Sequence, residues 1–551
     1  MTKNHYTSVL LLALLWLAAC AGMTPEREDE QAAQSEHILL AEIARSRGEP
    51  ELASDFYARA LKPRASLALT REASTYALRV EAWPQALEMA QLWKARDPDN
   101  PAADWALGMA ALQAGELAQA RDAFRRWLIE ASEADWRYLG GELQSLPRRW
   151  RAWQLMEPLS REHDSAPALL AGARMAMSLH RLEDAQRLSQ RALVRDPDDP
   201  EAWWLKRRVR AQAGDAAAVT EAWLALADWR DAGAILEMAT LLWESGDLPA
   251  AADLLRGALE DNPGLSAFDY ALALVLSEQG QYEEALERFS RLAARGFRLR
   301  ETWFRMAVVN ERAGKREAAL RLYDRVLSGD DHVEARARAI ALLLELGREG
   351  EADERIELSR YQLGDYRHQF RVTLGSLLLA RGWQSRGVAL CEAAQAARAW
   401  DADAHYRCAL GRLEAEPGST VAVEWLRKAH RLWPEEPLVL NALGYSLADQ
   451  DRDLREARRL IRQALRRSPD SGAILDSKGW VEYRLGNHQA AARWLEQAWE
   501  RLQVAEVAAH KVAVKWALGQ REEARSLYET ARERWPDEEI LEKTWQQLQK
   551  D

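Results

Sequence analysis

Four residues near the C-terminus raise the first chemical question. Trp480 and Tyr483 lie three apart, and Lys478 and Glu482 lie four apart, just ahead of Gly486. On a helix these spacings put each pair on one face, where the lysine and glutamate can form an ion pair. The aromatics can serve as core or as a surface that grips a partner. Cys391 and Cys408 offer a second chemistry, since in an oxidising compartment they can pair, and otherwise they can stay as two small buried thiols. Catalytic patterns are missing. No HExxH, CxxC, GxSxG, GxxxxGK[ST] or GxGxxG stretch occurs in the 551 residues, and the ten histidines are scattered without metal-ligand spacing. Adjacent acids such as Glu283 and Glu284 are what a chain with 86 Asp and Glu places on solvated helices. No catalytic residue, metal ligand or cofactor is expected, and the chain reads as non-enzymatic. Its formal charge of −11 lacks the basic footprint that nucleic-acid binding needs.

The elements that must position these residues recur at a fixed interval. A small residue returns at Ala53, Ala86, Ala120, Ala152, Ala185, Val219, Ala251, Ala285, Ala319, Ala352, Gly387, Ala422, Ala457, Ala491 and Ala524, every 32 to 35 residues. Five positions earlier a glycine often stands, as at Gly48, Gly115, Gly214, Gly246, Gly486 and Gly519, where a tight turn between antiparallel helices suits an unhindered backbone. Twelve positions later a proline ends the second helix, as at Pro98, Pro434 and Pro469. This beat resembles that of the tetratricopeptide repeat. The resemblance implies an all-α fold of helix-turn-helix units stacked into a right-handed superhelical solenoid of about fourteen or fifteen repeats over 37–551. Each hairpin buries its apolar stripe only against its neighbours, so one continuous superhelix is expected. The pattern degenerates around 131–165, which holds the basic aromatic run Arg148-Arg149-Trp150-Arg151-Ala152-Trp153. That run reads either as a kink or contact patch for an acidic partner, or as arginine stems covering apolar surface.

The first nineteen residues carry Lys3 ahead of an apolar run from Val9 to Ala19. That run is too short to cross a hydrocarbon core of about 30 Å, so 1–19 reads as a signal peptide. Leu17-Ala18-Ala19-Cys20 resembles the lipobox of bacterial lipoproteins, which implies lipidation of Cys20. Ala21 follows where inner-membrane retention would favour Asp, so the resemblance implies an anchor in the outer membrane and a periplasmic location. Residues 20–36 read as a short acidic tether reaching at most roughly 50 Å.

With Gly444 and Gly479 at position 8 of the first helix of their repeats, positions 2, 5, 9 and 12 line the concave face in proteins of this repeat class. The resulting candidate groove comprises Asn441, Tyr445, Asp476, Trp480, Tyr483 and Trp516. Lys478 and Glu482 then fall at positions 7 and 11, normally apolar. Either a partly buried pair replaces packing there, or the register is rotated by one position.

The stretch from Leu440 to Ala498, with "LNALGYSLAD" and "SKGW", resembles the C-terminal repeats of proteobacterial outer-membrane lipoproteins that act as adaptors for a carboxyl-terminal processing protease. That likeness implies a scaffold tethering a periplasmic serine protease and presenting peptidoglycan hydrolases to it. The alternative is a scaffold lipoprotein of an exopolysaccharide or pilus secretion complex.

Overall fold

A computed structural model of the chain describes residues 25–47, 49–61, 65–212, 232–244, 246–536 and 538–550. The leader, Cys20, and the repeat positions Gly48, Gly214 and Val219 lie outside the described residues. Among those described there are 30 α-helices and no strand. No helix among them is long and apolar enough to cross a membrane.

The repeat positions have the geometric roles their residue types suggest. In the helix Leu454–Arg467, Ala457, Leu460, Ile461 and Ala464 are buried and form one stripe at helical spacing. The arginines occupy the rest of the surface. The next pair, Gly472–Arg484 and His488–Arg501, packs so closely that a Cβ on Gly479 would sit 2.6 Å from Leu495 Cγ. Only hydrogen fits there. Between the two helices Gly486 turns the chain at φ 79°, a conformation that L side chains resist.

The helices fall into two compact units, where a single continuous array was expected. One contains the helices up to Glu130 together with Leu358–Arg367; the other contains Ala131–Glu357 and His368–Asp551. Within the first, Tyr76 Oη donates to Asp365 Oδ1 at 3.4 Å and Arg367 donates to the Arg47 carbonyl at 2.6 Å, so 358–367 is bound to the early helices. These polar contacts have no repeat period and are invisible to a search for one.

The acidic tether also differs from its reading. Pro25–Ser46 is a helix, and Gln34 Nε2 donates to the Ala60 carbonyl at 2.9 Å. Glu, Gln and Ala are strong helix formers, and Pro25 stands at the start where its missing N–H costs nothing. Residues 131–165 form an ordinary helix pair, Glu133–Ser145 and Arg149–His163, opened by a Ser132–Asp135 capping box.

Cys391, on the helix Gln384–Ala397, and Cys408, on Ala402–Ala415, are joined by a disulfide with Cα atoms 6.0 Å apart. Both are fully buried.

Candidate functional site

Three successive first helices build the C-terminal face: Pro437–Asp449, Gly472–Arg484 and Ala505–Ala517. The position-2 residues Leu438, Ala473 and Glu506 are exposed, Leu438 by 48%. Asn441, Tyr445, Trp480, Tyr483 and Trp516 are partly buried, and Asp476 is buried at 4% exposure. The aromatics are therefore neither pure core nor free surface. Trp480 packs on two neighbouring apolar clusters at once while keeping part of its ring exposed.

Tyr445, Asp476 and Trp480 converge on a histidine that the sequence pattern did not single out. His510 Nδ1 lies 2.9 and 3.0 Å from the two Asp476 carboxylate oxygens. Its ring stacks on Trp480, with centroids 4.2 Å apart, and Trp480 in turn stacks on Tyr483 at 5.0 Å. Tyr445 Oη donates to Glu506 Oε1 at 2.8 Å. Burial pushes the His510 pKa down, but Asp476, Glu506 and Asp449 together raise it above the ordinary value. Burial raises the Tyr445 phenol, and Glu506 and Asp449 raise it further. Asn441 Oδ1 and Trp480 Nε1 are buried with no hydrogen-bond partner, an acceptor and a donor whose burial costs free energy until something meets them. Glu506 and His510 lie four apart, and Asp476 is one repeat earlier. That combination was the signal available in the sequence.

Trp516 has a different setting. Its ring meets Trp545 of the C-terminal helix Glu539–Lys550 edge-on at 5.5 Å, with Arg521 5.0 Å from its centroid. It joins the packing at the end of the array, while Tyr445, Trp480 and Tyr483 gather around Asp476 and His510.

Lys478 and Glu482 form a buried ion pair, at 5% and 1% exposure, so side-chain pairing replaces apolar packing at these positions. Glu482 also accepts from Arg458 Nε at 2.9 Å and Asn487 Nδ2 at 2.8 Å. Burial pushes the Glu482 carboxyl up, yet hydrogen bonds from Lys478 and Asn487 outweigh it and hold it below the usual range. Burial lowers Lys478, and Glu482 does not fully offset that because the like charges of Arg458 and Arg462 lower it further.

The basic aromatic run finds its acidic contact within the chain. The Trp150 N–H donates to Glu436 Oε2 at 3.3 Å, and the Arg148 guanidinium lies 4.8 Å from the Trp433 ring centroid. Nearby, Leu182 N–H donates to Asp470 Oδ2 at 3.0 Å, and Arg181 Nη1 donates to the Arg466 and Arg467 carbonyls at 3.1 Å each. Glu436 and Asp470 thus supply acceptors to the N-termini of the helices Arg149–His163 and Leu182–Arg195, while Arg181 meets the last carbonyls of Leu454–Arg467.

Family models described as tetratricopeptide repeat match residues 72–135, 242–298 and 441–502. A TPR repeat-containing protein of Pseudomonas aeruginosa, PA4667, is 34% identical over 193 residues, 35% of this chain. The aligned region spans about a third (32%) of that relative's length. Among solved structures, yeast Tom70 is similar at 13% identity and TM-score 0.36, over 87% of this chain and 99% of that one. The Cut9 and Hcn1 hetero-tetramer of APC/C is similar at 14% identity and TM-score 0.31, over 88% and 96%. The chain is thus all-helical among its described residues and carries tetratricopeptide repeats at 72–135, 242–298 and 441–502, a repeat that supports protein–protein interaction.

Proposed function

We propose that this chain is a non-catalytic scaffold, lipid-anchored at Cys20 on the periplasmic face of the outer membrane. In this reading it tethers a carboxyl-terminal processing protease and brings cell-wall hydrolases to it. The observation that carries the binding role is the face formed by Leu438, Tyr445, Ala473, Trp480 and Tyr483, which sets partly buried aromatics beside the exposed Leu438, Ala473 and Glu506. Apolar anchors with a few directional hydrogen bonds are the usual make-up of a binding hot spot. The lipobox supports the anchor, and a buried disulfide suits an exported protein.

Affinity capture from detergent-solubilised envelopes tests the reading. Recovery of a periplasmic serine protease together with a peptidoglycan hydrolase is the expected result. Recovery of secretin or polysaccharide-export components without a protease would overturn it.

A further inference from the structure

We propose that Asp476, Glu506 and His510 bind a transition-metal dication, zinc by preference, across the joint between two successive repeats. One ligand atom from each lies within 4.8 Å of the others. Asp476 comes from the helix Gly472–Arg484, and Glu506 and His510 sit one turn apart on Ala505–Ala517, so two rigid helices define the donor positions.

The donors are unequal in a useful way. Asp476 and His510 are buried, at 4% and 3% exposure, while Glu506 is exposed, which gives an ion a path in on one side. The imidazole is held flat against Trp480 at 4.2 Å, and Tyr445 Oη fixes Glu506 through a 2.8 Å hydrogen bond. Such outer partners orient ligands at protein metal sites. The carboxylates of Asp476 and Glu506 both lie beside the one imidazole, so the place favours a cation.

The donor set selects the ion. Carboxylates alone would suit magnesium or calcium, but an imidazole among them favours zinc and its neighbours in the first transition row. Zinc bonds of about 2.0–2.2 Å require donors spaced near 3.3 Å. His510 Nδ1 and Asp476 Oδ1, now 2.9 Å apart, would separate by a few tenths of an ångström as the ion replaces the proton between them. Three protein ligands leave one position for water.

Calorimetric titration of the untagged full chain with zinc chloride tests this, with cobalt(II) absorption as a spectroscopic check. The expected result is one site of micromolar affinity or tighter, with cobalt bands typical of low coordination number. Glu506→Gln, at an exposed position, should weaken binding at least tenfold with helicity unchanged, and Asp476→Asn should do the same. Glu522→Gln, an exposed acid on the following helix, should leave binding as it was. No binding heat and no cobalt spectrum overturns the proposal, as does zinc binding of equal strength in Glu506→Gln. The measurement needs no partner protein, so it stands apart from the test of the scaffold function.

Discussion

Trp150, at the start of one helix, donates its backbone N–H to the carboxylate of Glu436, 286 residues further along the chain. Burial raises the Glu436 carboxyl to about 7 against the pull of the Trp150 N–H and of Arg149, Arg148 and Arg151. Burial also lowers Arg148, to about 10. Because the folded state holds the Glu436 proton more tightly than the unfolded chain, its stabilising contribution is complete below the ordinary value of 4.5 and is lost as pH rises through 7. Glu436→Gln keeps an acceptor for Trp150 and removes the titration. Denaturant midpoints from pH 5 to 8 should fall for the wild type by the equivalent of roughly 2–3 kcal/mol and stay flatter for the variant. Parallel pH profiles would refute the burial argument.

Asp470 makes the second long-range cap. Its carboxylate accepts from Leu182 N–H and its own N–H donates to the His180 carbonyl, each at 3.0 Å. Asp470→Ala removes only the side-chain cap and should cost about 1 kcal/mol, the usual worth of an N-cap. Hydrogen exchange should show faster opening at the first turn of Leu182–Arg195, with Ala505–Ala517 unaffected.

At the buried pair, the two partners should not be equivalent. Glu482→Ala strands Lys478 and removes acceptors from Arg458 and Asn487, so a loss of about 3–5 kcal/mol is expected. Lys478→Met leaves Glu482 paired with Arg458 and should cost distinctly less. Chemical unfolding of the two variants decides; equal losses would mean that Arg458 does not share the carboxylate.

The Cys391–Cys408 disulfide closes a short loop, with a sequence separation of 17. Chain-entropy arguments give about 3 kcal/mol for a loop of that size. Alkylation of the denatured but unreduced protein should label neither residue. After denaturation and reduction both should react, and the reduced chain should melt lower. Labelling of both without reductant would show free thiols.

The helix pairs were legible in the sequence because each must place a small residue where two helices cross, as Ala457 and Gly479 do. Lys478 and Glu482 were legible as a pair because four residues make one helical turn. What was missed depends on distance along the chain. His510 meets Asp476 one repeat away, which shows only when successive repeats are aligned, and Trp150 meets Glu436 across 286 residues, which leaves no local pattern. The N-terminal tether was misread for a different reason. Its acidic, polar composition resembles a linker, but Glu, Gln and Ala are also strong helix formers, and the Gln34 contact with Ala60 ties that segment to the next helix.

The central claim is that the C-terminal face captures a partner, and its most direct measurement uses residues that contribute little to folding. Leu438 and Ala473 are exposed on that face. Leu438→Glu combined with Ala473→Arg should leave helicity and thermal midpoint within a degree or two of the wild type, as exposed substitutions usually do. The same double variant should reduce recovery of the envelope protease by at least tenfold in quantitative affinity capture, equivalent to about 1.4 kcal/mol or more of binding. Undiminished recovery with an unchanged melt would contradict the account and place the partner elsewhere on the chain.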